Sequence, residues 1–328
     1  MPHRPDLTPR RTRARGTGAH GPRQIPLRGW LLVLQRVAAR VIPDRFPLFS
    51  AGVAFFAVLS VAPVLITALS VYGAVNTPAR AMEHLSGLVG VLPPALGDVL
   101  ADQLTSITAA STQLLTVRGL TALAVALWTA MTAMAFLVDA LTVAYREEET
   151  RSVPRRVGLS FAFVVGGALM LGAMITASAL VSRGLSAAPG PLRVLALTLV
   201  WVALAVLMAV GLAVLYRFAP DRRGRAQWRW LPVGAVVATV VWLAASAGLF
   251  TYVRNLGTYE RTYGSLAGVA ISMFWLWLTV LLIIIGAALN AESERQTVRD
   301  STVGPPQPPG ARGAVAADDV PPYRKGER

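Results

Sequence analysis

Few residues in this chain are of a type that does chemistry, and their spacing is poor for it. The three histidines are His3, His20 and His84. No DxD, HxH or HxxxH pattern occurs, so the sequence offers no ligand cluster for the ions of a metal nuclease. Cysteine is absent, which removes disulfides, CxxC zinc sites and thiol nucleophiles. Glu147, Glu148 and Glu149 stand beside Arg146, Arg151, Arg155 and Arg156. Consecutive helix positions do not face one way, so surface ion pairing explains this run better than metal binding. The expectation is a protein with no enzyme activity, no cofactor and no metal.

The remaining polar residues of interest lie in or beside long apolar runs. Asp139 is a carboxylate near the end of one such run. At mid-bilayer it would cost about 2.5–3.5 kcal/mol, so it is either ion-paired near the interface or faces a pathway. Pro63 interrupts another run and frees a backbone carbonyl one turn earlier. It reads as a structural kink or as a break beside a path, with Ser60, Thr67 and Ser70 near enough to help satisfy the backbone. Gly264 and Gly268, like Gly73 and Gly286, mark either close helix packing or a substrate contact. Arg254, Tyr259, Arg261 and Tyr263 form a cluster with Glu260. They suit a phosphate or lipid headgroup, and equally a hydrogen-bonded turn with an aromatic belt. Asn290 is placed for a hydrogen bond between helices. These nine positions (Pro63, Asp139, Arg254, Tyr259, Arg261, Tyr263, Gly264, Gly268 and Asn290) are the candidate transport-path or headgroup contacts.

The elements that must position them follow from composition. Of 328 residues, 54% are hydrophobic and 15% charged, against roughly 25% charge in a soluble domain. Apolar runs, free of charge except for Asp139, at about 48–75, 120–145, 157–181, 194–215, 231–253 and 263–290 each reach the roughly 20 residues that cross a bilayer core. They lack the period-2 alternation of a membrane barrel. The expected fold is therefore all-α: a polytopic membrane protein with a six-helix transmembrane bundle over 46–292. Residues 27–45 carry Trp30, Leu31, Leu34, Val37 and Val41 at helical spacing, with arginines between. They read as an amphipathic helix in the headgroup region or one packed on the body. Residues 79–113 read as a short amphipathic helical hairpin on the outer face, hinged at Pro93-Pro94. Residues 1–26 and the proline-rich 293–328 read as disordered tails.

The net charge is +14, and Lys325 is the only lysine. Lysine and arginine total 25 in the segments that share a side with the termini and 6 on the other. The positive-inside rule then puts both termini in the cytoplasm. The surplus favours an anionic membrane surface over nucleic acid as the partner.

Several stretches resemble a known family. Span 1 reads Ser50-Ala-Gly-Val-Ala-Phe-Phe-Ala-Val-Leu-Ser-Val-Ala-Pro63. Span 2 ends Ala140-Leu-Thr-Val-Ala-Tyr-Arg-Glu-Glu-Glu-Thr-Arg151, and span 4 ends Leu215-Tyr-Arg-Phe-Ala-Pro220. The last loop and span read Tyr259-Glu-Arg-Thr-Tyr-Gly-Ser-Leu-Ala-Gly268 and then Gly286-Ala-Ala-Leu-Asn-Ala-Glu292. In order and spacing, from about Leu27 to Glu294, they resemble the YihY/BrkB family, once labelled ribonuclease BN. Two positions depart from it. The family often has an acid where this chain has Ala288, and often Asn where it has Thr142. The resemblance implies a six-helix inner-membrane protein from a group linked to serum resistance and envelope lipid export, and it gives no support to nuclease activity. The expected function is transporter or flippase-like export of an amphipathic or anionic envelope compound, such as a lipid or lipid precursor. The alternative is a non-catalytic scaffold in envelope assembly. Membrane lipids are the expected partners and nucleic acid is not.

Overall fold

A computed structural model describes residues 17–75, 112–184, 190–224, 226–255 and 265–319. After a 3-10 turn at Pro22–Gln24, the helices run in chain order: α1 Leu27–Arg40, α2 Phe46–Val75, α3 Thr112–Ala144, α4 Val153–Gly184, α5 Gly190–Phe218, α6 Leu231–Asn255, α7 Ser265–Glu294 and the single turn α8 Val315–Asp318. The described residues form no strand; Ala226 and Thr302 make one isolated antiparallel bridge.

Six of these helices, α2 to α7, are long and apolar enough to cross a membrane. Their surfaces require one. Leu169 is 71% exposed, Trp201 66% and Val194 66%, and a soluble protein does not leave such a surface to water. Each helix outlasts its apolar run. α4 starts at Val153 and takes in Arg155 and Arg156 before the uncharged stretch begins, because backbone hydrogen bonding continues through the headgroup layer where charge is tolerated.

The chain divides into two compact units. The first joins Met1–Pro47, Val138–Leu243 and Leu281–Arg328. Its described part holds α1, α4, α5 and α8 whole, the ends of α3 and α7 and the starts of α2 and α6. Phe46, Leu141, Tyr145, Tyr216, Trp230, Leu231 and Ile284 are fully buried in it. The second joins Leu48–Leu137 and Ala244–Val280. Aromatic contacts organise that unit. Phe56 stacks on Phe136 at 5.7 Å and meets Trp128 edge-on at 6.5 Å. Trp275 Nε1 donates to Ser246 Oγ at 3.1 Å.

The tails differ from the sequence reading. Residues 301–319, expected to lack structure, are held against the first unit. Arg312 is 6% exposed and donates to the carbonyls of Val298, Gln307 and Ala317. Asp318 Oδ1 accepts from the N–H groups of Gly310 and Arg312. Val315 N–H donates to Glu147, and Gly224 N–H to the Gly313 carbonyl. Residues 17–25 are likewise tied down. Thr297 Oγ1 donates to the Ala19 carbonyl at 2.8 Å, and Val298 N–H to that of Thr17 at 2.9 Å. Backbone and charged groups do this holding, with little apolar surface, and hydrophobic periodicity does not register such contacts. α1 buries Val33, Val37 and Arg40 and leaves Leu31 and Leu34 exposed. The helical hairpin expected at 79–113 lies almost wholly outside the described residues.

Candidate functional site

The first unit is organised by a carboxylate. Glu292, near the end of α7, is fully buried. Four guanidinium groups close on it: Arg36 at 2.8 Å, Arg40 at 3.2 Å, Arg146 at 3.0 Å and Arg295 at 2.9 Å. A second buried pair, Arg222 and Glu294, lies at 2.8 Å, and Ser301 Oγ also donates to Glu294. Burying a charge costs several kcal/mol unless it is paired and hydrogen-bonded. Both carboxylates meet that condition.

The reason so many arginines gather here is local. α3, α5 and α7 all end in this unit, and each ending leaves carbonyls without helical partners. Arg40 donates to the carbonyls of Val143 and Ala144 at the end of α3. Arg151 donates to those of Ala219 and Pro220, just past α5. Cations at helix C-termini are also favoured by the helix dipole. Arg146 follows α3 in a left-handed conformation, with φ 61°. Its N–H bonds the Val143 carbonyl, and Glu147 N–H bonds that of Thr142, which is a Schellman closure normally made by glycine. A non-glycine residue there costs about 1–2 kcal/mol. What arginine gives in return is a guanidinium that reaches Glu292.

Burial pulls the Arg40 guanidinium below its ordinary value, and neighbouring Arg146 adds to this against Asp44 and Glu292. Burial also works to lower Arg222, but its pairing with Glu294 outweighs that and holds it above the ordinary value. Burial raises the Glu147 carboxyl. For Asp221 burial acts upward too, but the hydroxyl and N–H of Thr150, with Arg151, prevail and hold it low.

Two of the candidate residues fall in this unit. Asp139 forms an ion pair with Arg156 of α4, and its Oδ1 is buried without a hydrogen-bond partner among the described residues. Asn290 is fully buried and clasps the start of α6. Its Oδ1 accepts from Gly234 N–H at 2.7 Å and its Nδ2 donates to the Leu231 carbonyl at 3.0 Å. Beside that clasp α6 and α7 approach backbone to backbone. A Cβ on Gly234 would lie 2.1 Å from the Gly286 carbonyl oxygen, and one on Gly286 would lie 2.5 Å from Tyr216 Oη. Thr142 Oγ1 donates to Val138 and accepts from Asp221 N–H. Ala288 is fully buried.

In the second unit Pro63 lines a cleft of about 600 Å³ between α2 and α3, with Ile66, Arg118, Thr121 and Val125. One turn on, Thr67 Oγ1 donates to the Pro63 carbonyl at 2.8 Å, and Ser60 Oγ donates to that of Ala57 at 2.7 Å. Gly268 is half-buried in the first turns of α7. Arg254 lies at the end of α6. Tyr259, Arg261, Tyr263 and Gly264 lie outside the described residues.

The structure therefore brings Pro63 to a cleft in the second unit, and within the first unit Asn290 to a helix clasp and Asp139 to an ion pair. Sequence reading passed over Glu292, Glu294 and Arg118. The acids follow an uncharged run of 30 residues, 262–291, and precede Arg295; an acid at the end of a span with arginine three residues on was the signal available. Arg118 counted only towards the charge balance. Among the described residues, no three of His, Asp or Glu converge in a group able to hold a metal.

Comparison with known proteins places these features in a family. The model described as Virulence factor BrkB matches residues 37–311. A UPF0761 membrane protein of Methylibium petroleiphilum is 26% identical over 86% of this chain and 67% of its own length. A UPF0761 membrane protein of Ralstonia nicotianae is 30% identical over 81% of this chain and 60% of its own length. The putative ribonuclease-like protein YfkH of Bacillus subtilis is 28% identical over 74% of this chain and 88% of its own. The chain thus spans about three fifths to two thirds of the UPF0761 proteins compared. No solved structure matches it.

Proposed function

This chain belongs to the BrkB family of integral membrane proteins, and from that premise we propose that it moves an amphipathic anion, a lipid or lipid precursor, across or out of a bacterial inner membrane. Both termini face the cytoplasm in this reading, as the arginine distribution favours.

The observation that carries the proposal is the cleft at Pro63. It combines apolar walls from Ile66 and Val125, a hydroxyl from Thr121 and one cation, Arg118. Val117 and Arg118 stand at the start of the span Val117–Ala144, the level of a phosphate headgroup. A planar guanidinium fork matches phosphate oxygens in pairs. Pro63 supplies no N–H, so α2 lacks one rung of its hydrogen-bond ladder where it meets the cleft. Irregular backbone at membrane depth is tolerated beside protein or a water-filled cavity. The buried Glu292 network supports a rigid frame, because every arm of it is fixed by an ion pair. Its carboxylate is enclosed by arginines and is not poised for acid–base chemistry.

A photoactivatable anionic phospholipid tests this. Its crosslinks should map to the peptides around Pro63–Ile66 and Val117–Val125 and should fall several-fold in Arg118→Ala. Crosslinks spread evenly over the lipid-facing helices, unchanged by that substitution, would favour the scaffold reading.

A further inference from the structure

A second cleft, of about 580 Å³, lies in the first unit between the turn 20–24 and the start of α6. Its lining includes two cations, Arg23 and Arg229, together with His20. It also includes an apolar set: Pro232, Val233, Val236 and Val237. The order of these residues along the chain sets their depth. Arg229 stands two residues before the span Leu231–Val253 begins, and the valines occupy its first two turns. The cations therefore lie at headgroup level and the valines in hydrocarbon. Trp228, 51% exposed and stacked under Arg217 at 4.4 Å, marks the same interface.

The cleft is built and held. Ala19, Ile25 and Trp230 form a small buried cluster, against which Trp30 packs. Gln24 N–H bonds the Gly21 carbonyl, and Arg299 Nε donates to that of Gly18. These contacts seat the turn beside α6, so that Arg23 and Arg229 line the same cleft. Val236 and Val237 remain 50% and 39% exposed, an apolar wall with cations over its end.

We propose that this cleft binds one anionic phospholipid, its phosphate between Arg23 and Arg229 and an acyl chain along Val233, Val236 and Val237. The site is separate from the cleft at Pro63 and does not depend on transport. Its occupant ties the N-terminal segment to the membrane surface. Charge complementarity selects the headgroup, since each arginine near an anionic surface adds roughly fivefold in affinity and the pair about thirtyfold.

The test is native mass spectrometry of the full chain in detergent, titrated with phosphatidylglycerol or phosphatidylcholine. Phosphatidylglycerol should bind in a single tight step, with phosphatidylcholine much weaker. Arg23→Ala with Arg229→Ala should weaken phosphatidylglycerol about thirtyfold, while the lysine pair at the same positions should keep most of the binding. Arg28→Ala, a nearby exposed arginine outside the cleft, should change nothing. Thermal unfolding of each variant in detergent checks that it is folded. Equal binding of both lipids would overturn the proposal, as would an unaffected double-alanine variant that is folded. Equal protection against heating by inorganic phosphate would also overturn it, because it would remove the role of the acyl chain.

Discussion

At the crossing of α6 and α7 the two backbones come close, and replacing Gly234 with alanine tests that approach. The new Cβ would lie 2.1 Å from the Gly286 carbonyl oxygen, 2.6 Å from Asn290 Oδ1 and 2.7 Å from Asn290 Cγ. Ordinary contact is 3.4–4 Å. The nearest neighbour is backbone, so no side-chain rotation relieves the clash and the helices must part. Overpacking of this kind costs about 1–3 kcal/mol. Parting them also strains both hydrogen bonds of Asn290, each worth about 0.6–2 kcal/mol between membrane helices. Against this, alanine gains about 1 kcal/mol over glycine in helix propensity. The net loss should be about 1–6 kcal/mol. On the same helix a Cβ added at Gly248 would meet nothing within 4 Å, so Gly248→Ala is the control and should be neutral or slightly stabilising. Thermal unfolding of purified protein in mild detergent reads the difference. If Gly234→Ala melts at or above Gly248→Ala, the close approach is not what holds α6 to α7.

Further outcomes follow from the charged network and the arginine distribution. Glu292→Gln leaves Arg36, Arg40, Arg146 and Arg295 without their shared carboxylate; by the usual cost of breaking a buried ion pair it should lose about 3–5 kcal/mol, read as a lower melting point and lower membrane yield. Asp221 has a folded pKa below its unfolded value, so its contribution is complete above about pH 4 and fades as pH falls through the folded value. Wild type should therefore lose melting temperature below about pH 4, and Asp221→Asn should be less stable at pH 7 yet lose less on acidification. Reporter fusions at Ala110, Ala188 and Thr258 should report outside, and those at Glu149 and Gly224 inside.

Much of this fold was legible because apolar runs are long and unambiguous. Span 5, expected at 231–253, is found as α6 at Leu231–Asn255. Boundaries slipped where helices run into charged headgroup layers, as at Arg155 and Arg156 of α4, since hydropathy ends before the helix does. The ordered residues 301–319 were invisible for a different reason. Arg312 and Asp318 hold them by hydrogen bonds to distant backbone, and such contacts leave no period. Glu292 drew no attention in the sequence, because nothing near it but Arg295 marks it as a hub. Its partners come from Arg36 and Arg40 of α1 and from Arg146, more than a hundred residues away in sequence, and only the folded chain brings them together. Pro63 was conspicuous as a helix breaker, but its pairing with Arg118 needed the packing of α2 on α3.

The most direct test of transport is the movement of labelled phosphatidylglycerol between leaflets of sealed vesicles containing the purified chain. Wild type should move it well above the rate of protein-free vesicles. Arg118→Ala should slow it roughly fivefold, the value of one arginine at a charged headgroup, and Arg118→Lys should restore most of the rate. Wild-type vesicles that move no more lipid than empty ones, across a panel of anionic lipids, would contradict transport and leave the scaffold reading in its place.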